Sequence, residues 1–525
     1  MAPASVGGVS TRKGGARVPN ESGVPPKRIK IVNVACETYG VVLDPNLRGT
    51  GPSGHVQMSD ILSLLLEHAR RMVATCVIHD GTTTLWKYTE NNDLSSLGMN
   101  LKQGVVVMDH QADTLSKINN DGYTRSCNVK MPCAAGKTLF ALLHIRELKT
   151  FAIIFTNCSM ASRHWFDQAH QFFDLPEGGV VILHSDSDGT PTVNLKTLVE
   201  KRPSIVICTY QMMTSTQKHT DSLTEVIQYV KNIPWGIKIL DEAQTAPASS
   251  YKDVLQIQSF TTMTVSASFA REDDEMKHFF DEVSSLIITV EKETLIERQL
   301  LPRVNRIEVH IDPFQVQQQQ KLDHHKRQHL AIMNPKKVSA CLSLINYHAS
   351  LKDNIIIFCD DLQAVEHLFT TFAQFDFETD VHFCGRITMD TPLEQRLETL
   401  SAFRGSSGGS VLLMSRVGDV AIDLPGANVL IQMSCTSKSK NQEIQRTGRI
   451  QRRSSRQLTQ QHTSYCLITN GSEEAKNVVH RREYMRSEGY ETKIVEASRA
   501  TDTRYDDTSY AKFAHSVFVT CNATS

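Results

Sequence analysis

The stretch that decides the fold is Met131-Pro132-Cys133-Ala134-Ala135-Gly136-Lys137-Thr138, which follows a short apolar run. In that context the backbone N–H groups and Lys137 hold the β- and γ-phosphates of ATP, and the Thr138 hydroxyl ligates Mg²⁺. The strict phosphate-loop pattern requires a glycine five positions before Gly136, where this chain has Met131. Taken alone, the stretch is therefore also compatible with a chance turn.

An acidic pair supplies the carboxylates that an ATPase needs. Asp241 and Glu242 follow the apolar run 237–240, as is typical of the C-terminal end of a buried parallel strand, where α/β proteins bind ligands. Asp241 is the predicted Mg²⁺ ligand, and Glu242 is the predicted base that orients the attacking water. In isolation, the alternative for this pair is a solvated strand end.

An arginine-rich stretch, 445–453, lies further along the chain. Arg449 and Arg452 are the predicted catalytic arginines, which stabilise charge on the transferring phosphoryl group. A basic surface helix is the alternative for this stretch alone. Phosphate loop, acidic pair and arginines in this order predict an ATP-driven motor on nucleic acid. They argue against a phosphate-loop kinase or GTPase, which lacks paired arginines in a second lobe.

Composition sets the bounds for these predictions. The chain has 525 residues, of which 40% are hydrophobic and 22% charged, enough for two or three domains with cores. We expect a soluble intracellular protein without a membrane partner, because no apolar run approaches the roughly 18 residues of a membrane span. A net charge of -1 means that nucleic-acid contacts must be local. The 12 cysteines form no Cys-x-x-Cys pair, which favours free thiols over a zinc site.

Alternating strand and helix patterns predict an α/β fold with two doubly wound parallel-sheet lobes, an inter-lobe insert and a small N-terminal region. The predicted strands of the first lobe are 151–155, 180–183, 205–208, 237–240, 263–265 and 286–290, and those of the second are 354–358, 411–414, 429–433 and 465–468. Because the phosphate loop lies in the first lobe and the arginines in the second, ATP is expected in the cleft between them.

The predicted boundaries follow from these patterns and from shifts in composition. They are a disordered tail at 1–30, a small N-terminal region at 31–104 with a helix after Ser59, an ATP-binding lobe at 105–305, an insert at 306–335, a second lobe at 336–499 and a tail at 500–525.

From about residue 105 to 495 the chain resembles the XPB helicases, superfamily 2 DNA translocases of the transcription and repair factor TFIIH. The blocks that carry the resemblance are 271–274, 334–337, 416–419, 423–432, 442–449 and 480–490. It implies two RecA-like lobes and a DNA-dependent ATPase with 3′–5′ helicase activity that uses ATP and Mg²⁺. The implied partners are duplex or junction DNA and TFIIH or repair-factor subunits, in the nucleus.

The resemblance also implies roles for further residues. Gln111 is expected to read adenine, with a surface glutamine at a helix start as its alternative, and Asp419 and Gln445 are expected to contact the nucleotide. The expected DNA-binding and coupling residues are Thr156, Thr209, Ser266, Ser268, Arg271, Glu272, Asp273 and Ser415. For the threonines and Ser415, a helix cap or strand-end hydrogen bond is the alternative, and for 271–273 it is an exposed charge cluster.

The chain departs from the family pattern at several places. Gln244 takes the position where the family usually has histidine, and 266–268 reads Ser-Ala-Ser instead of Thr-Ala-Thr. The insert is rich in Gln and His, and only about 100 residues precede the first lobe. These departures predict a divergent or N-terminally shortened paralogue. The alternative function is a catalytically weak, TFIIH-like scaffold whose ATP site acts as a conformational switch.

Overall fold

This computed structural model describes the backbone of strands 30–34, 38–42, 76–79 and 83–87 and most of the chain from 99 to 496. The described parts of the latter are 99–119, 122–184, 193, 195–196, 198, 203–214, 220–233, 235–245, 253–269, 274–314, 323–416, 424, 426–437, 439–452 and 462–496. The predicted tails, the helix after Ser59, the charged element 271–273 and Asp419 lie outside the described residues.

The first lobe is built on a sheet of seven parallel strands in the order β10-β11-β8-β12-β13-β7-β14. Its strands are β7 (Cys127–Lys130), β8 (Ala152–Thr156), β10 (Val180–Ile182), β11 (Ile205–Thr209), β12 (Trp235–Asp241), β13 (Ser259–Ser266) and β14 (Ile287–Thr289). Their apolar runs are continuous because helices cover both faces of such a sheet.

The helices of this lobe connect successive strands. They are α1 (Asp109–Ile118), α2 (Lys137–Leu148), α3 (Ser159–Phe172), α4 (Tyr210–Thr214), α5 (Asp221–Asn232), α6 (Asp274–Val283) and α7 (Lys292–Glu297). In the described residues, three smaller sheets pair β1 (Lys30–Val34) with β2 (Thr38–Val42), β4 (Thr83–Lys87) with β3 (Cys76–His79) and β6 (Tyr123–Arg125), and β5 (Asn100–Leu101) with β9 (Phe173–Asp174). Strand β4 pairs with β6, which attaches the N-terminal hairpin to the first lobe.

The second lobe repeats the architecture. Its parallel strands are β15 (Val304–Ile311), β16 (Ile355–Phe358), β17 (His382–Ile387), β18 (Ser410–Met414), β19 (Val429–Gln432), β20 (His462–Thr469) and β21 (Thr492–Glu496), in the order β17-β18-β16-β19-β20-β15-β21. Its helices are α8 (His324–Ile332), α9 (Pro335–Ser350), α10 (Leu362–Gln374), α11 (Leu393–Gly405), α12 (Lys440–Arg449) and α13 (Glu473–Ser487).

The two sheets share one topology. When the strands of each sheet are numbered along the chain, both read 3-4-2-5-6-1-7. The predicted two-lobed, doubly wound α/β fold is therefore confirmed. Because all strands in a sheet are parallel, their C-terminal ends meet at one edge, where α/β proteins bind ligands. The phosphate loop follows β7 and the acidic pair ends β12 at that edge of the first lobe.

The predicted insert at 306–335 differs from what the structure shows. Strand β15 pairs with β20 and β21 inside the second sheet, and α8 packs through Ile332 on the core of the same lobe. The second lobe therefore begins at about Val304. The polar letters of β15 hid this strand, since Arg306 and Glu308 are both fully buried as an ion pair.

A buried ionic network anchors α12 to the second sheet. Glu443 on α12 lies 3.3 Å from Arg306 and 3.0 Å from Arg481, and all three side chains are no more than 1% exposed. Gln432 donates to the same carboxylate over 2.9 Å. Burial alone would raise the pKa of Glu443, but Arg481 and Arg306 lower it to about 2. Glu443 is therefore ionised in the folded protein at neutral pH.

We expect Glu443→Ala to lower the free energy of unfolding by about 3–5 kcal/mol, because it removes the carboxylate that faces the buried Arg481 guanidinium and one of the two that face Arg306. Denaturant unfolding at pH 7 measures the loss. Since the folded pKa is depressed, the stabilisation is full above the unfolded value of 4.5 and is lost as the pH falls toward 2. Lys476→Ala is the control, because Lys476 makes only an exposed ion pair. Equal stability of the two variants would contradict the prediction.

Candidate nucleotide site between the two lobes

The phosphate loop leads directly from β7 into α2. Ala134 has a φ of 62° and Gly136 a φ of 82°, so the loop contains two left-handed residues. A Cβ at Gly136 would lie 2.5 Å from Gln111 Nε2, so a larger residue would be strained by its φ and would displace the Gln111 amide. Helix α2 begins at Lys137 and Thr138, directly after this loop. The free N–H groups at the start of a helix favour binding of phosphate.

Met131 explains how the loop tolerates the missing glycine. Its N–H donates to the Ser266 carbonyl over 2.9 Å, which extends the pairing of β7 with β13. Its side chain is fully buried in the core of the first lobe. Because Met131 continues the strand, the loop turns only after it, and no left-handed residue is needed there.

Two side chains of α1 form hydrogen bonds with the backbone of the phosphate loop. Gln111 donates from Nε2 to the Gly136 carbonyl over 3.1 Å and accepts from Met108 N–H over 3.0 Å. His110 Nε2 lies 2.8 Å from the Ala135 carbonyl. Gln111 is only 1% exposed, so it is not a surface residue. Its contact with the loop adds a second role to the proposed reading of adenine.

We expect Gln111→Ala to relax the preference for ATP over GTP and to weaken nucleotide binding about 10-fold, the value of one hydrogen bond. Measured KM values for ATP and GTP test this. His110→Ala is the matched control, because it also removes a bond to the loop but has no predicted contact with adenine. If both variants raise the two KM values equally, Gln111 supports the loop and does not read the base.

The acidic pair lies next to the loop lysine. Lys137 Nζ is 2.6 Å from Glu242 Oε1, while Ser266 Oγ and Gln244 Nε2 donate to Glu242 Oε2 over 3.1 and 2.5 Å. The Trp165 indole N–H donates to Asp241 Oδ2 over 2.7 Å. Glu242 has a φ of 47°, a conformation that costs energy and is common at functional sites.

The two carboxylates differ in charge state. Burial, reinforced by the charge of Glu242, raises the pKa of Asp241 to about 7. Burial would also raise the pKa of Glu242, but the Lys137 ammonium and three hydrogen bonds hold it below its usual range. Burial likewise opposes the charge on Lys137, yet Glu242 raises its pKa. An ionised Glu242 is thus paired with a charged Lys137, whereas burial and the neighbouring charge of Glu242 favour the neutral form of Asp241.

The oxygen donors at this edge fit Mg²⁺. Thr138 offers a hydroxyl, and Asp241 offers the carboxylate oxygen that Trp165 does not use. In the described residues there is no group of three or more His, Cys, Asp or Glu that would cage a metal. Mg²⁺ suits such a sparse set, since it binds through one or two protein oxygens and completes its shell with phosphate and water.

Helix α12 turns one face toward the first lobe. Asn441 accepts from Ser268 Oγ over 2.5 Å, and a Cβ at Gly448 would lie 2.4 Å from Cys133 Cβ in the phosphate loop. Gln445 lies between these contacts, because positions spaced by three or four residues share a helix face. The opposite face carries Glu443 and Arg446, which are fully buried against the second sheet.

The arginines of the stretch 445–453 also divide between the core of the second lobe and the side that faces the first lobe. Arg446 forms an ion pair with Asp360 and stacks over Phe358 at 4.6 Å, so it belongs to the core of the second lobe. Arg449 and Arg452 lie within electrostatic range of the first lobe. Burial, followed by these two arginines, lowers the pKa of His164 on α3 to about 4.

Arg449 and Asp241 both act electrostatically on Cys158, which caps α3. Burial raises the pKa of Cys158, which Asp241 raises further and Arg449 lowers. Burial lowers the pKa of Arg452 to about 10 against the opposing effect of Cys133. Because Arg449 is only 9% exposed, the stretch is not a basic surface helix.

In the described residues, the predicted DNA contacts lie at or just beyond the ends of β8, β11, β13 and β18. Thr156 is fully buried, and its Oγ1 lies 2.7 Å from Ser162 Oγ, which favours the alternative of a strand-end hydrogen bond. Thr209 accepts from Met212 N–H over 3.3 Å at the start of α4, and Ser415 is 3% exposed beyond β18. Ser266 and Ser268 connect Glu242 to α12.

Sequence reasoning missed residues whose partners are distant along the chain. Trp165 binds Asp241, Glu443 anchors α12, and Tyr490 reaches Gln451 beside Arg452. For Glu443 a signal was available, because an acidic residue inside an arginine-rich helix predicts a charge partner. For Trp165 and Tyr490 the sequence offers none.

Comparison with known proteins finds similarity to the same family. The family model for the ERCC3/RAD25/XPB C-terminal helicase matches residues 295–518. A Drosophila melanogaster protein described as the helicase/translocase subunit XPB of general transcription and DNA repair factor IIH is 27% identical over 429 residues, 80% of this chain and 51% of its own length. The corresponding Saccharomyces cerevisiae subunit XPB/SSL2 is 28% identical, over 78% of this chain and 47% of its own. The chain thus spans about half the length of these relatives.

Solved structures share the fold. LlaBIII, an ATP-dependent Type ISP restriction-modification enzyme bound to DNA, aligns with a TM-score of 0.54 at 12% identity over 79% of this chain and 33% of its own. Mss116p bound to ssRNA and AMP-PNP aligns with a TM-score of 0.51 at 15% identity over 78% and 76%. In the described residues no helix is long and apolar enough to cross a membrane. Family model and relatives show that this chain is similar to XPB helicases, as the sequence blocks predict, and the solved structures show that it shares their two-lobed fold with other nucleic-acid-bound enzymes.

Proposed function

We propose that this chain is an ATP-dependent DNA translocase and 3′–5′ helicase that tracks along duplex or junction DNA. One observation carries the proposal. Gly448 on the arginine helix packs against Cys133 in the phosphate loop, so the nucleotide elements of two similar lobes face each other. A site shared between lobes links ATP turnover to lobe movement, which a motor requires.

Each side chain of the site has a proposed part in hydrolysis. Lys137 and the loop N–H groups hold the β- and γ-phosphates, and Glu242 accepts a proton from the attacking water. Arg449 and Arg452 stabilise charge on the γ-phosphoryl group from the opposite lobe. Mg²⁺, held by Thr138 and Asp241, neutralises phosphate charge when bound.

A chain of hydrogen bonds supports coupling between hydrolysis and movement. Ser266 joins the Glu242 carboxylate to the backbone of Ser268, and the Ser268 hydroxyl reaches Asn441 on α12. A change at the γ-phosphate therefore has a short physical route to the second lobe. Arg271, Glu272 and Asp273 follow this route along the chain, and they remain predicted coupling residues, as Asp419 remains a predicted nucleotide contact.

The relatives extend the proposal to cellular context. Their names describe a subunit of general transcription and DNA repair factor IIH. We propose that this chain also assembles with TFIIH or repair-factor subunits in the nucleus. Cofactors are ATP and Mg²⁺.

A DNA-stimulated ATPase assay tests the proposal, with single-stranded and duplex DNA side by side and a displacement assay on a 3′-tailed duplex. Stimulation by either DNA supports a motor, and displacement identifies a helicase. ATP binding without DNA-stimulated turnover would instead support the scaffold alternative. The absence of both binding and turnover would overturn the proposed function.

A further inference from the structure

The turn after α13 fastens the second lobe to the first. Glu488 Oε1 lies 2.8 Å from Lys130 Nζ, and the Glu488 carbonyl accepts from Lys292 Nζ over 2.8 Å. The Lys292 ammonium also lies 3.1 Å from the centroid of the Tyr490 ring, a cation–π contact. Lys130 immediately precedes the phosphate loop, so the turn is attached at the base of that loop.

The same turn reaches the arginine side of the site. Tyr490 is 4% exposed, and its hydroxyl donates to Gln451 Oε1 over 2.8 Å. Gln451 is 1% exposed and immediately precedes Arg452. This bond lies where the chain leaves α12, so it fixes the backbone from which Arg452 extends. A buried tyrosine hydroxyl normally finds such a partner.

The contacts on the two sides are connected through one aromatic ring. The Tyr490 ring lies under Lys292 of the first lobe, and its hydroxyl holds Gln451 of the second. Burial lowers the pKa of Lys292 to about 8 against the raising effects of Glu293 and Glu488. A lysine that loses solvation in this way is held by its partners rather than by water.

We infer that the turn 488–490 is an inter-lobe latch, and that Tyr490 is a positioning residue that sets Arg452 against the phosphate loop. The inference rests on the proposed ATPase function for its kinetic consequences and on the contacts alone for its structural ones. Two arms of one experiment separate these consequences.

The kinetic arm uses Tyr490→Phe, which keeps the ring under Lys292 and removes only the hydroxyl. We expect kcat for DNA-stimulated ATP hydrolysis to fall about 10-fold or more with KM within about 2-fold, because small displacements of a catalytic group cost turnover rather than ground-state binding. Tyr347→Phe is the matched control, since Tyr347 is 58% exposed.

A double-mutant cycle tests the route. If Tyr490 acts through Gln451, then Gln451→Leu should lower kcat to the same extent, and the double variant should be no slower than either single variant. Additive losses would overturn the route through Gln451. An unchanged kcat in Tyr490→Phe would overturn the positioning role.

The structural arm needs no hydrolysis. Lys130→Met removes the charge that faces Glu488, and we expect the radius of gyration of the full chain, measured by small-angle scattering without nucleotide, to increase. Lys476→Met is the control, because its partner Glu473 lies on the same helix. An unchanged radius of gyration would overturn the latch. Failure of the wild type to hydrolyse ATP would instead overturn the proposed function, and the scattering result would stand apart from it.

Discussion

Lys137→Ala abolishes DNA-stimulated ATP hydrolysis, with turnover lowered by at least about 10³-fold if the lysine stabilises developing phosphate charge. The structure explains why the fold should survive. Lys137 contacts Glu242 at the cleft edge, where its side chain is 15% exposed, and it belongs to no hydrophobic cluster of the described residues. Steady-state ATPase rates with saturating DNA measure the effect.

The control must separate the loss of catalysis from the change in charge next to Glu242. Removing Lys137 takes away the cation that, with hydrogen bonds from Gln244 and Ser266, opposes the effect of burial on the pKa of Glu242. Lys137→Met keeps the length of the side chain and should be as inactive as Lys137→Ala. Unchanged melting temperature and DNA binding in both variants would confirm that only turnover is lost. Wild-type turnover in either variant would contradict the assignment of the phosphate loop.

The parts of the site that were predictable depend on local chemistry. A Gly-Lys-Thr before a helix holds phosphate through its own backbone. Asp241-Glu242 directly follows an apolar run, so its place at the end of a buried strand can be recognised from the sequence. Most predicted strands were recognisable for the same reason. Parallel strands that are buried on both faces read as continuous apolar runs.

The parts that were not predictable depend on pairs of residues far apart in the chain. Strand β15 was hidden because Arg306 and Glu308 look polar and are in fact paired with each other, with Glu443 and with Arg482. Such a strand reads as a loop until its partners are known.

The same limit applies to the interface between the lobes. Gly448 looks like an ordinary helix glycine, yet its contact with Cys133 joins positions more than 300 residues apart.

Gln111 shows the converse case. It was expected to read adenine, but its bond to the Gly136 carbonyl gives it a supporting role that the sequence did not predict.

Three arginines of the stretch 445–453 should give two different results. We expect Arg449→Ala and Arg452→Ala each to lower turnover by about 10³-fold, as loss of a catalytic arginine does in other phosphoryl-transfer enzymes. ATP affinity should change far less, because the loop and Lys137 hold the phosphates in the ground state. Measured kcat and KM values at saturating DNA test this.

Arg446→Ala provides the contrast that makes the test decisive. Arg446 is fully buried and pairs with Asp360, so its loss should lower the free energy of unfolding by about 3–5 kcal/mol. The conservative variants Arg449→Lys and Arg452→Lys keep the charge but lose the planar fork, and they should recover little turnover if two hydrogen bonds to one phosphoryl group are required.

If Arg449→Ala or Arg452→Ala keeps full turnover, that arginine contacts DNA or its own lobe, and its neighbour alone acts on the phosphate. If either variant instead loses stability to the extent of Arg446→Ala, the arginine that it removes faces its own sheet. We do not expect this result, because Gly448 on α12 contacts Cys133 of the first lobe.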